Sequence, residues 1–91
     1  MKQIKIGVVT WTIKEVQDLR MSEYIFGDCN INNQVIRLDA TISQEHKEQV
    51  LMHELLHACL YTMCEEELNG NEKFVNMLAH LLTQINQQLK E

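Results

Sequence analysis

The chain predicts an α+β fold, a small antiparallel sheet of three strands packed against two long helices. Three observations lead there. The N-terminal part holds short runs of β-branched and aromatic residues with alternating character. From Ser43 onward, apolar residues recur at helical spacing. No proline interrupts either half.

The elements follow in order. Ile4 to Ile13 alternates and reads as the first strand. Lys14 to Met21 fits either a short helix or a continuation of that strand, through Val16 and Leu19. Tyr24 to Ile31 reads as the second strand and Val35 to Leu38 as the third. Asn32-Asn33 between them suits a hairpin turn, because Asn tolerates positive φ. Ser43 is a helix N-cap, and a long helix is predicted from about Gln44 to about Glu67. Asn69-Gly70 ends it, with Gly suited to the left-handed position past a helix C-terminus. Asn71 caps the last helix, Glu72 to Leu89, whose predicted apolar stripe is Phe74, Val75, Leu78, Leu81, Leu82, Ile85 and Leu89.

Composition narrows the function. Residues 1–91 are expected to form a single domain whose core is small enough that a bound metal would add stability. A net charge of −5 argues against a nucleic-acid partner, which selects a basic face. No apolar run reaches membrane-spanning length, and the start, Met1 to Ile6, lacks the apolar stretch of a secretory signal. Cys29, Cys59 and Cys64 are odd in number and lack metal-site spacing. They read as free thiols in a reducing cytoplasm, with Cys59 and Cys64 as core fillers.

The chemistry is concentrated in His53-Glu54-Leu55-Leu56-His57, an HExxH pattern. Residues four apart share one helix face, so both imidazoles can reach one ion. The glutamate is rotated off that axis, placed to act as a general base on a water without ligating the metal. A shuffled chain of this composition holds the pattern in roughly 2% of cases, so the surroundings must add weight. They do. Val50 to Met52, Leu55-Leu56 and Ala58 to Leu60 make a buried helix, where unpartnered histidines would be costly.

A catalytic zinc site takes three protein ligands. No aspartate follows Asp39, and the sixth residue after His57 is Met63 rather than a third histidine. Glu65, Glu66 and Glu67, on the same predicted helix, lie about 12 Å or more along its axis. They read as a solvated acidic run, with attraction of a basic substrate as the alternative. The remaining candidates are on the last helix, Glu72 first and His80 second. A tight turn at Asn69-Gly70 folds that helix back and brings Glu72 toward the motif helix.

HExxH followed by a glutamate on the next helix resembles the gluzincin plan. Gly27-Asp28-Cys29, Val35 to Leu38, Val50 to Ala58 and Glu72 to Val75 together look like the very small phage and prophage gluzincins, the minigluzincins. Those are relatives of the ImmA/IrrE-like metallopeptidases. The resemblance implies a zincin-like fold, one zinc ion on His53, His57 and Glu72, and Glu54 as general base. Gluzincins often carry an aspartate four residues after the ligand glutamate, to hold a ligand histidine; this chain has Asn76 there.

The expected activity is zinc-dependent endopeptidase chemistry on a protein or peptide substrate, a single regulatory protein being one such target. Tyr61, one helical turn beyond His57, would share the metal face and offer a donor to the developing oxyanion; an ordinary half-buried aromatic is the plainer reading. Gln34 to Leu38 is expected to offer a strand edge to an extended peptide. The alternative is a zincin-fold module that binds zinc structurally and a protein partner. A latent peptidase, with Ile85 to Glu91 occupying the cleft, is a third possibility.

Overall fold

The computed structural model describes residues 2–90. It is α+β, but the sheet has four strands in the order β1-β2-β4-β3 and is mixed rather than antiparallel. The expected first strand is in fact a hairpin, β1 (Lys2–Ile6) and β2 (Val9–Val16), turning at Gly7-Val8. Gly7 sits at φ 64, the left-handed geometry that two-residue hairpin loops require. Lys14 to Val16 extends β2, and Leu19–Glu23 forms a short helix, α1.

The chain then returns as β3 (Gly27–Asn30) and β4 (Val35–Asp39), an antiparallel pair. Their loop is tied by Asn33 N donating to Asn30 Oδ1, with Gln34 rather than either turn asparagine at positive φ. β4 inserts parallel to β2, pairing Thr12 with Val35 through Val16 with Asp39. The buried carboxylate of Asp39 explains this path. It accepts the Arg20 backbone N–H at 2.7 Å and both the N–H and hydroxyl of Thr41. That pins α1 to the end of β4 and buries Leu19 completely. The left-handed residues Asp18 and Tyr24 let the chain bend on either side of α1. Gln34 to Leu38 is therefore mostly an interior strand. The sheet edges are β1 and β3.

Helix α2 spans Gln44–Thr62 and is capped as expected, Ser43 Oγ accepting from His46 N. It ends at Thr62, well short of Glu67, and a four-residue helix, α3 (Glu66–Asn69), follows. The left-handed residue is Cys64, at φ 57, whereas Gly70 is right-handed at φ −81. Electrostatics accounts for the break. Continuing α2 would place three carboxylates at the negative end of its dipole; restarting puts Glu66 and Glu67 in a first turn, where acids are favoured. Cys64 is exposed in consequence and fills no core.

Helix α4 spans Glu72–Leu89, with Asn71 Oδ1 accepting from Phe74 N. Its innermost face is Val75, Ala79 and Thr83, not the longer apolar residues. Small side chains let α4 lie close on α2, which leaves Phe74, Leu81, Ile85 and Leu89 substantially exposed. The core proper is Trp11, Ile13, Ile36, Leu38 and Ala58, joined by Val50, Leu51 and Leu55. Helix α2 thus lies with one flank on the sheet and another on α4. No helix among the described residues is long and apolar enough to cross a membrane.

Trp11 is the largest fully buried side chain. Trp11→Ala should cost about 3–5 kcal/mol of unfolding free energy, read from the midpoint shift in urea at unchanged slope.

Candidate metal centre

The HExxH segment lies mid-way along α2, and its two histidines project one turn apart, ring centroids 4.9 Å from each other. Across from them, the turn through α3 delivers Glu72 as the first residue of α4. Its Oε2 is 3.2 Å from His53 Nε2 and its Oε1 3.0 Å from His57 Nε2. One donor atom from each of the three residues lies within 4.8 Å of the others, so one metal ion can be held between them.

The donor chemistry fits such an ion. His57 Nδ1 is 2.6 Å from the side-chain oxygen of Asn69. That oxygen only accepts, so the ring proton belongs on Nδ1 and the Nε2 lone pair faces Glu72. A hydrogen bond on the remote nitrogen is how ligand imidazoles are commonly oriented. The partner is Asn69 of α3. Asn76 makes no hydrogen bond to either imidazole among the described residues. Nothing in a reading that ran α2 on to Glu67 could have found Asn69, because its position depends on the break at Cys64.

Glu54 points into the same cleft, is only 9% exposed, and is not one of the converging donors. Burial pushes its carboxyl up to about 7, opposed by His57 and reinforced by the negative charges of Asp28 and Glu72. The facing wall is edge strand β3 with its following loop, through Gly27, Asp28, Cys29 and Ile31. Burial first, then Glu54 and Asp28, pushes the Cys29 thiol up to about 12, which keeps it protonated. The guanidinium of Arg37 on β4 holds Asp28 and Glu23 together, clamping β3 to β4 and α1. Gly27 is required here. A Cβ would fall 2.6 Å from a Val50 methyl and 2.7 Å from the Arg37 carbonyl oxygen, so only glycine lets β3 approach α2 this closely.

The other candidates lie elsewhere. Tyr61 is half exposed in the last turn of α2 and does not line the cleft. His80 faces a separate polar hollow with His46, Gln84 and Gln87, away from the three donors. The end of α4 stays clear of the cleft as well: Lys90 lies 3.9 Å from Glu48, toward the start of α2. The three cysteines are unpaired.

Fold and side chains together define a small α+β domain with a candidate His-His-Glu metal centre. The chain matches no protein-family profile, no curated protein and no solved structure.

Metal titration against a competing chelator tests the donor set. His53→Ala and Glu72→Ala should lose the ion, Asn69→Ala should weaken binding by about 10–100-fold, and His80→Ala should leave it unchanged. A second expectation concerns the metal-free protein. Because Glu54 is held near 7 against an ordinary 4.5, the folded state retains its proton more strongly than the unfolded chain does. The resulting stability is complete below about pH 4.5 and lost as pH rises through 7, amounting to about 3 kcal/mol. Chemical denaturation from pH 4 to 8 should show this loss in the native chain and not in Glu54→Gln.

Proposed function

We propose that the chain is a zinc-dependent endopeptidase of the gluzincin type, with His53, His57 and Glu72 as ligands and Glu54 as general base. The observation that carries the reading is the placement of Glu54: a buried carboxyl beside the converging donors yet outside them. A structural metal site has no use for such a group, whereas hydrolysis needs a base with a pKa near the working pH. Zinc suits two imidazoles and a carboxylate, and when bound it supplies a Lewis acid with an open position, able to polarise a carbonyl and acidify a water.

The protein's own residues provide the rest. Glu54 takes a proton from the attacking water and returns it to the leaving amine. A cation held by the three donors would favour the ionised form of Glu54, the form that accepts the proton. Asn69 keeps the His57 ring turned toward Glu72. The free edge of β3 offers backbone groups to an extended substrate, so β-augmentation moves here from the strand first expected to supply it. Tyr61 has no part in this arrangement. Unpaired cysteines support action in a reducing cytoplasm, on a protein or peptide substrate. The resemblance to phage and prophage gluzincins makes a single regulatory protein the target class to try first.

One observation favours a second reading, a metal-stabilised module that binds a protein partner: the exposed Phe74, Met77, Leu81 and Ile85 on α4. Glu54→Gln separates the two. The peptidase reading expects peptide hydrolysis to fall by about 10²–10⁴-fold with metal content unchanged. Undiminished hydrolysis in that variant would remove Glu54 from the chemistry, and no hydrolysis above background by the zinc-loaded native chain would favour the module.

A further inference from the structure

Helix α4 presents two unlike faces. Val75, Ala79 and Thr83 are buried on the side packed against α2. On the other side Phe74, Met77, Leu81, Ile85 and Leu89 are exposed, with Leu78 half-buried among them. No other element among the described residues carries as many exposed large apolar side chains. Phe74, Met77, Leu78 and Leu81 form a hollow of about 370 Å³, room enough to seat apolar side chains from outside. Between Lys73 and Lys90 the chain has no lysine, arginine, aspartate or glutamate. A helix face both apolar and free of charge has the composition of an interface core, not of a solvated surface.

The exposed area agrees. A free-standing protein of 10.7 kDa exposes about 5,500 Å². This chain exposes 6314 Å². The excess, about 800 Å², matches what one partner contributes to a standard interface.

The face is complementary to itself. Phe74, Leu78, Leu81 and Ile85 are spaced four, three and four apart, the alternation of a two-helix seam. That spacing reads the same in both directions about the point between Leu78 and Leu81, so a two-fold axis can pass there. Phe74 then meets Ile85 of the partner subunit, and Leu78 meets Leu81 of the partner subunit. Antiparallel helices also oppose their dipoles. At the ends, Lys90, held loosely by Glu48 at 3.9 Å, comes beside the partner's α3, whose Glu66 and Glu67 are exposed. A chain of net charge −5 repels its own copy in most approaches. This face avoids that repulsion, with an uncharged centre and opposite charges at its ends.

We propose that the outer face of α4 is the interface of a two-fold homodimer, two copies of α4 pairing antiparallel through Phe74, Leu78, Leu81 and Ile85. None of these residues is a metal donor or lines the metal cleft, so the dimer does not depend on the peptidase reading.

Sedimentation equilibrium of the full chain should give twice 10.7 kDa at about 100 µM. Leu81→Glu, half exposed in the single chain, should weaken the dimer by about 100-fold or more, with circular dichroism and zinc affinity unchanged. Phe74→Lys and Ile85→Glu should each impair pairing alone and restore it when mixed, because the antiparallel register sets the introduced lysine against the introduced glutamate. The native chain gives a readout that needs no variant. In a sample mixing isotope-labelled and unlabelled copies, the Phe74 ring should show nuclear Overhauser contacts to the Ile85 methyl groups of the partner subunit. A native chain that stays monomeric up to about 1 mM overturns the proposal and leaves the face to a different protein. A dimer lacking the contact between Phe74 and Ile85, or one that Leu81→Glu leaves as tight, overturns it as well.

Discussion

The carboxylate of Glu72 bridges the Nε2 atoms of His53 and His57, and the C-terminal half of the molecule is arranged around that contact. Two imidazoles on a partly buried helix face are costly unless something receives them. Here the carboxylate of Glu72 faces them from another helix, and an ion between the three would join them through coordinate bonds. To bring Glu72 there, the chain must leave α2 soon after the motif and start α4 alongside it. The left-handed Cys64, the single turn of α3 and the Asn71 cap accomplish this in a few residues.

The same detour supplies Asn69, which orients His57. One local event, the early end of α2, therefore sets both a ligand and the group that aims another ligand. On the opposite side, the close approach of β3 depends on Gly27 and on the Arg37 clamp. The cleft is thus bounded by an ionically braced strand edge and a helix seated on small residues. Glu54 lies between them, in surroundings dry enough to hold its proton near neutrality.

The structure corrected the sequence reading where local patterns were ambiguous. A single strand from Ile4 to Ile13 hid a hairpin. The apolar positions change parity there, from Ile4 and Ile6 to Trp11 and Ile13, which is the mark of a two-residue turn. The parallel insertion of β4 beside β2 left no local mark, because Asp39 reaching back to Arg20 is a long-range contact. Asn76 sits where a family pattern suggests a histidine partner, yet its side chain lines a neighbouring hollow, and Asn69 takes the partner's place.

By itself the sequence determined what depends on spacing along one helix. His53 and His57 share a face, Glu54 is turned off it, and Ser43 and Asn71 are caps. These are consequences of the α-helical repeat and of backbone donors that need acceptors at helix ends. Tertiary structure alone decided which strand forms the cleft edge, which face of α4 is buried, that His80 and Tyr61 stand apart, and that Asn69 holds the ring. Those outcomes come from sheet order, helix packing and the competition between continuing α2 and relieving the charge at its end. Each is settled between segments distant in sequence, where no local repeat carries the information.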